Sequence, residues 1–336
     1  MKPTENAGLP VHLQRFFAER LIAQMDASPH TVASYRDTFR LLLAYACEQT
    51  ARRPTDLLVT DLDAELVSGF LSDIEAQRKN SVRTRNLRRA AIRSFFRFIA
   101  LHEPARLLQC QQVLAIPAKR EDKRRIDFLE PQESAALLAA PDRSTPIGRR
   151  DHTLLLVALQ TGLRVSELIG LRLRDVVLVP ASRAHVHCRG KGRKERTTPL
   201  RSDSVQALSQ WLVERAGAPD DPLFVSNRRG RFSRDGIERI VHKYARMASR
   251  TCASMENKRI RPHTLRHTAA MELLRSGVGC TVIALWLGHE SVETTQVYLH
   301  ADLEIKKQAM DRTRPADIPA GVYQPKDELL AFLEAL

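Results

Sequence analysis

The 336-residue chain lacks paired cysteines. Its five, Cys47, Cys110, Cys188, Cys252 and Cys280, are an odd number, widely scattered, with no Cys-x-x-Cys pair. That argues against a disulfide framework and a cysteine zinc site, and fits a reducing compartment. No stretch approaches 18 apolar residues, and the N-terminus, Met-Lys-Pro-Thr-Glu-Asn, has no apolar leader core. Neither a membrane span nor a secretory signal is expected, and a cytoplasmic location is. Internal repeats and low-complexity tracts are also absent. What the chain has in excess is positive charge: 53 Lys and Arg against 39 Asp and Glu, net +14, with a pI near 10.0. Such an excess points to a polyanionic partner, most often nucleic acid. A merely solvated basic surface is the alternative, and the arrangement of the charge has to separate the two.

The length suffices for two domains, each with its own core. Residues 10 to about 103 read as successive helices, Val11–Met25, His30–Glu48, Ala64–Gln77 and Val82–Leu101, punctuated by Ser28-Pro29, Arg53-Pro54 and Asp61. The fourth stands out. Between Arg78 and Arg97 there are eight basic residues and no acid. Arg85, Arg89, Arg93 and Arg97 recur at i,i+4 and so share a helix face, opposite a stripe of Leu87, Ala91, Phe95 and Phe98. Four stacked arginines without a carboxylate repel one another unless an anion lies across them. This face is therefore expected to meet DNA. Pro104, Pro117 and the charged run Lys119–Arg125 read as a basic linker, with Lys119 as a further DNA contact.

From Phe128 the composition changes. Helices are expected at Pro131–Ala140, Arg150–Gln160, Ser202–Arg215, Ser233–Thr251, Thr264–Ser276, Thr281–Leu287 and Ser291–His300. Short strands are expected at Val176–Val179, Ala184–Cys188 and Arg196–Pro199, with Gly190-Lys191-Gly192 as a hairpin tip. The fold class is thus mainly α with a small antiparallel β-sheet. The domains are 1–118 (helical, DNA-binding), a linker 119–127, 128–310, and a tail 311–336.

Six side chains in this second half suit attack on a phosphodiester without a metal: Arg164, Lys191, His263, Arg266, His289 and Tyr298. Phosphoryl transfer needs an in-line nucleophile, charge stabilisation on the non-bridging oxygens and a proton for the leaving oxygen. Guanidinium forks match phosphate, which fits Arg164 and Arg266. His263 lies three residues before Arg266 on a helix, and so on the same side. His289 follows Gly288, which reads as a C-cap glycine. Lys191, at a glycine-flanked tip, suits a general acid, and its neighbours Arg193 and Lys194 suit phosphate contacts. Tyr298 is the nucleophile; an unperturbed phenol is only about 0.1% ionised at neutral pH, and nearby arginines are expected to lower its pKa. Arg164 also has a plainer reading, as a helix start ion-paired to Glu167. His263 and His267 have the spacing of two zinc ligands, but the Glu of His-Glu-x-x-His is missing, so neither metal nor other cofactor is expected.

The stretch HTLRHTAAMELLRSGVGCTVIALWLGHESVETTQVYLH (His263–His300), with TGLRVSEL (Thr161–Leu168) and GKGRKERTTPL upstream, resembles the signature of tyrosine recombinases, the phage-integrase family. All six active-site positions carry the family's residue. The resemblance implies a core-binding domain and a catalytic domain forming a C-shaped clamp on double-stranded DNA sites. Tyr298 would form a 3′-phosphotyrosyl bond and free a 5′ hydroxyl, with exchange in a synaptic tetramer, a second recombinase being a possible member. Lys326–Leu336, with its apolar face, would pass into the neighbouring subunit. Only about ten residues precede the first helix, so no separate arm-binding domain is expected. The compact plan resembles Xer-type proteins and recombinases of mobile elements, and points to integration, excision or transposition of an element. Chromosome or plasmid dimer resolution is the main alternative; a type IB topoisomerase and a non-catalytic DNA-binding regulator come after it.

Overall fold

The computed structural model describes residues 8–121, 126–179, 183–190, 195–227 and 230–288, together with Thr295 and Tyr298. The chain divides into two compact units, Met1–Lys123 and Arg124–Leu336. Among the described residues no helix is long and apolar enough to cross a membrane.

In the first unit, α1 (Leu9–Arg15) runs directly into a π-wound segment, Phe16–Gln24, where the Met25 N–H reaches back to the Arg20 carbonyl at 3.1 Å. The wider winding buries Phe16 and Leu21, five residues apart, on one side. Three helices follow, each opened by an oxygen-bearing cap: α2 (Pro29–Thr50) by Ser28, α3 (Ala64–Ala76) by Asp63, and α4 (Val82–His102) by Ser81. A fifth, α5 (Leu107–Ala115), occupies the stretch between Pro104 and Pro117 that the sequence marks as a break. Its Gln109 amide donates to the Val59 and Leu62 carbonyls at 2.7 and 3.2 Å. Phe16, Phe39 and Phe95 meet edge-on at the centre of the core, 5.3–6.2 Å between ring centres.

The arginine row on α4 departs from expectation. An i,i+4 row drifts by about 40° per step around an ideal helix, so its ends face different surroundings. Arg85 lies on the buried side, its Nε 3.3 Å from Glu75 of α3, and Arg89 Nε donates to the Ile116 carbonyl at 2.6 Å. The row is therefore not free of carboxylates: Glu75 also binds Lys119 at 2.6 Å. Arg93 is half-buried and Arg97 exposed. The buried stripe is correspondingly shifted. Leu87 is 60% exposed, while Ile92, Phe96 and Ile99 join Ala91, Phe95 and Phe98 inside.

The second unit is built around α7 (Pro146–Thr161), capped by Thr145, which begins a turn before the expected Arg150 and is buried along nearly its whole length. Packed about it are α6 (Pro131–Ala139), α9 (Ser202–Arg215), α10 (Arg234–Ala248) and α11 (Pro262–Arg275), while α12 (Cys280–Leu287) packs on α11 and the sheet. A six-residue helix, α8 (Val165–Gly170), starts at Arg164 as the plainer reading of that residue has it, and leads into the sheet. Its strands β1 (Val176–Val177), β2 (His185–Arg189) and β3 (Glu195–Pro199) are antiparallel in that order, with Val186 opposite Thr198 and Cys188 opposite Arg196. The described residues are thus mainly helical with one small antiparallel sheet. Of the expected helix Ser291–His300 only Thr295 and Tyr298 are described, and both are buried. The tail 311–336 lies outside the described residues.

Gly162 closes α7 in the left-handed region (φ +61°), and a Cβ there would stand 2.5 Å from Leu287 Cδ2 and 3.2 Å from Ala269 Cβ. Left-handed strain costs about 1–2 kcal/mol and core overpacking about 1–3 kcal/mol. Gly162→Ala is therefore expected to lower stability by about 2 kcal/mol or more, read as a reduced urea midpoint. An unchanged midpoint would contradict the packing described.

Candidate active site

The site is assembled at the C-terminal end of α12. A helix end leaves its last carbonyls without intrahelical partners and carries partial negative charge, so it attracts cations. Here three consecutive carbonyls each accept from a different arginine. Trp286 O accepts from Arg196 Nε at 3.1 Å, Leu287 O from Arg266 Nη2 at 2.8 Å, and Gly288 O from Arg164 Nη2 at 2.9 Å. Arg266 reaches across from α11 and also donates to Gly162 O at 2.7 Å, tying the end of α7 to the end of α12. Gly288 takes the left-handed conformation (φ 65°) expected of a C-cap glycine.

Glu167, on α8, is the counter-charge. Its carboxylate accepts from the Arg164 main-chain N–H at 2.7 Å and from Arg164 Nη1 at 2.9 Å, and it takes both terminal nitrogens of Arg196 at 3.0 and 2.7 Å. Burial opposes its ionisation, but the hydrogen bonds from Arg196 and Arg164 outweigh this and hold its pKa below the usual carboxylate value. The ion-paired helix start and the phosphate-binding arginine are thus compatible readings of Arg164. Its side chain remains 29% exposed, whereas Arg266 is 2% exposed. Burial, reinforced by neighbouring Arg164, pushes Arg266 down to about 10, so it remains a cation at neutral pH.

Tyr298 is 2% exposed, and its hydroxyl shares a 2.9 Å hydrogen bond with His267 Nδ1. The His267 ring in turn meets His263 edge-on, 4.5 Å between centres. The phenol departs from expectation: its pKa is raised, not lowered. Arg266 and Arg164 do pull it down, but removing the phenolate from water costs more.

Of the six expected active-site residues, Arg164 and Arg266 therefore meet at α12, and Tyr298 lies within their electrostatic reach and in contact with a histidine beside His263. Lys191 and His289 lie outside the described residues, as do Arg193 and Lys194. Three side chains of the network escaped the sequence reading as functional residues: Glu167, Arg196 and His267. Strand alternation carried a signal for Arg196, since Arg196 and Thr198 point inward on β3 while Glu195, Thr197 and Pro199 are exposed. Also unforeseen is an open groove of about 1160 Å³ between α10 and residues 255–262, lined by Arg239, Lys243, Arg246, Arg250, Arg259 and Arg261. The strong segregation of polar from apolar residues on α10 was its legible trace.

Comparison with known proteins agrees with this chemistry. Residues 127–304 match the phage integrase family, and residues 13–103 match the phage integrase N-terminal SAM-like domain. The chain is 48% identical over 333 residues to y4rC of Sinorhizobium fredii, named as an integrase/recombinase, covering 99% of this chain and 100% of that one. It is 34% identical over 308 residues to the tyrosine recombinase XerC of Pelobacter propionicus, covering 90% and 94% respectively. In fold it is similar to the XerH site-specific recombinase in a post-cleavage complex with palindromic difH substrate (TM-score 0.67, 20% identity, 85% of this chain and 80% of that one). A similar likeness holds to the Tn1549 transposon integrase in complex with a circular intermediate DNA (TM-score 0.67, 17% identity, 89% and 98%). The chain belongs to the phage integrase family of tyrosine recombinases, enzymes that cut and rejoin DNA.

Proposed function

We propose that this recombinase breaks each strand with Tyr298 and serves the integration, excision or transposition of a mobile element. The phenol oxygen forms a bond to the scissile phosphorus as the bond from phosphorus to the 5′ oxygen breaks. The phenol proton passes to an imidazole; His267 already shares its hydrogen bond. The departing 5′ oxygen takes a proton from Lys191. Arg164 and Arg266 balance the charge on the non-bridging oxygens, with His263 and His289 donating beside them. The 3′-phosphotyrosyl bond conserves the energy of the phosphodiester, so a 5′ hydroxyl from a partner duplex restores it without ATP or metal. The observation that carries this reading is the pair of arginines fixed on adjacent carbonyls within reach of the Tyr298 phenol.

The occupied substrate is double-stranded DNA at a recombination site, bound in the cytoplasm by a synaptic tetramer. Arg93, Arg97 and the α10 groove supply phosphate contacts, with the hairpin residues Arg193 and Lys194; Arg85, Arg89 and Lys119 act by bracing the α4 region. The named likeness to y4rC at 48% identity favours an integrase role, while the XerC relatives favour dimer resolution as the second reading.

A suicide substrate nicked beside the cleavage position should trap a covalent protein–DNA adduct in excess chelator. Tyr298→Phe should abolish the adduct, and its survival would overturn the assignment. Arg164→Ala is expected to slow adduct formation by roughly 10²-fold or more while binding weakens far less. DNA affinity should fall steeply with salt, with a slope of about −0.9 per phosphate neutralised; a flat response would contradict the basic surfaces proposed. Burial should also place Tyr298 ionisation above the ordinary phenol value, read from the tyrosine titration that wild type shows and Tyr298→Phe lacks.

A further inference from the structure

We infer that Arg196 is a positioning residue for strand cleavage, acting through Arg164 and the Gly288 turn. It sits on β3, outside the six-residue set, yet its guanidinium uses all three nitrogens: two on Glu167 at 3.0 and 2.7 Å, and Nε on the Trp286 carbonyl at 3.1 Å. Two consequences follow. First, Arg196 shares the Glu167 carboxylate with Arg164. While both oxygens of Glu167 are engaged by Arg196, only one donor of the Arg164 guanidinium, Nη1, is bonded to it, and Nη2 is turned to Gly288 O. Without Arg196, a carboxylate only 2% exposed would have one cation left, and the Arg164 fork would be drawn fully onto it. The phosphate-binding edge would then be spent on an internal partner.

Second, Arg196 packs against the turn that leads to His289 and Tyr298. A Cβ on Gly288 would lie 2.8 Å from Arg196 Nη1 and 3.3 Å from its Cζ. The guanidinium plane therefore covers the left-handed glycine, and its Nε fixes the carbonyl two residues earlier. Lysine cannot replace it: one ammonium does not span a bidentate carboxylate and a carbonyl on the far edge.

The inference rests on Arg164 as the phosphate-binding arginine, and the test separates the two. Arg196→Gln, Arg196→Lys and Arg164→Ala are compared with wild type on a nicked suicide substrate. Measured are DNA affinity, thermal unfolding, and the single-turnover rate of adduct formation at saturating DNA. Arg196→Gln is expected to slow adduct formation at least 30-fold, and Arg196→Lys about 10-fold, with affinity changed less than threefold. A second substrate carries a methyl group in place of one non-bridging oxygen at the scissile position, which removes the charge that Arg164 meets. On it the deficits of Arg164→Ala and of the Arg196 variants should shrink together. A role confined to folding would leave the Arg196 deficit equal on both substrates, and that result would overturn the inference. So would a folded, DNA-bound Arg196→Lys protein that cleaves within twofold of wild type. Failure of the Arg164 reading itself would show instead as an Arg164→Ala deficit that does not change with the methyl substitution.

Discussion

Three guanidiniums converge on the last two carbonyls of α12 and that of its Gly288 cap, and a single buried carboxylate, Glu167, ties two of them together. The proposed chemistry depends on this arrangement. Arginine side chains are costly to bury, and Arg266 bears that cost openly in its depressed pKa. The compensation comes from main-chain carbonyls at helix ends, where partial charges already point the right way. Breaking a buried pair by removing one partner typically costs about 3–5 kcal/mol, so the network resists rearrangement. Rigidity has a catalytic use. Cations set in place by folding need no reorganisation when negative charge develops on a phosphate.

Tyr298, the proposed nucleophile, differs from these cations in charge rather than in depth. Tyr298 is buried, neutral and hydrogen-bonded to His267. The two arginines favour its phenolate, yet burial prevails. A phenol held this way is poorly reactive toward water-borne electrophiles. In the proposed mechanism DNA phosphate enters this balance at Arg164, the more exposed of the two arginines. Tyr298 and the two arginines are thus joined electrostatically, with Tyr298 and Arg266 buried alike and Arg164 more exposed.

Much of this was legible in the sequence, for identifiable reasons. Helix boundaries announced themselves through punctuation, as at Ser28-Pro29, and the Gly288 C-cap was read directly from its place after an apolar run. The motifs pointed to Arg164, Arg266 and Tyr298 as a group, and the two arginines do meet at the end of α12 with Tyr298 within their electrostatic reach. Tertiary choices were hidden. The α4 arginines share a face on paper, but helical drift takes Arg85 to the buried side, where Glu75 from another helix waits. Helix α5 was masked because flanking prolines mark boundaries without saying what lies between them. Glu167 and Arg196 are 29 residues apart, and nothing local shows that they meet. The sign of the Tyr298 shift depended on the depth of burial, a property of packing and not of neighbouring charge.

The most direct test of the account is to identify the residue joined to DNA. Wild-type protein is reacted with a nicked substrate in excess chelator, digested with protease, and the nucleotide-bearing peptide is sequenced by mass spectrometry. A nucleotide on the phenol oxygen of Tyr298, formed at an undiminished rate in chelator, is the expected result. Attachment to any other side chain, or loss of attachment when divalent ions are removed, would contradict the account.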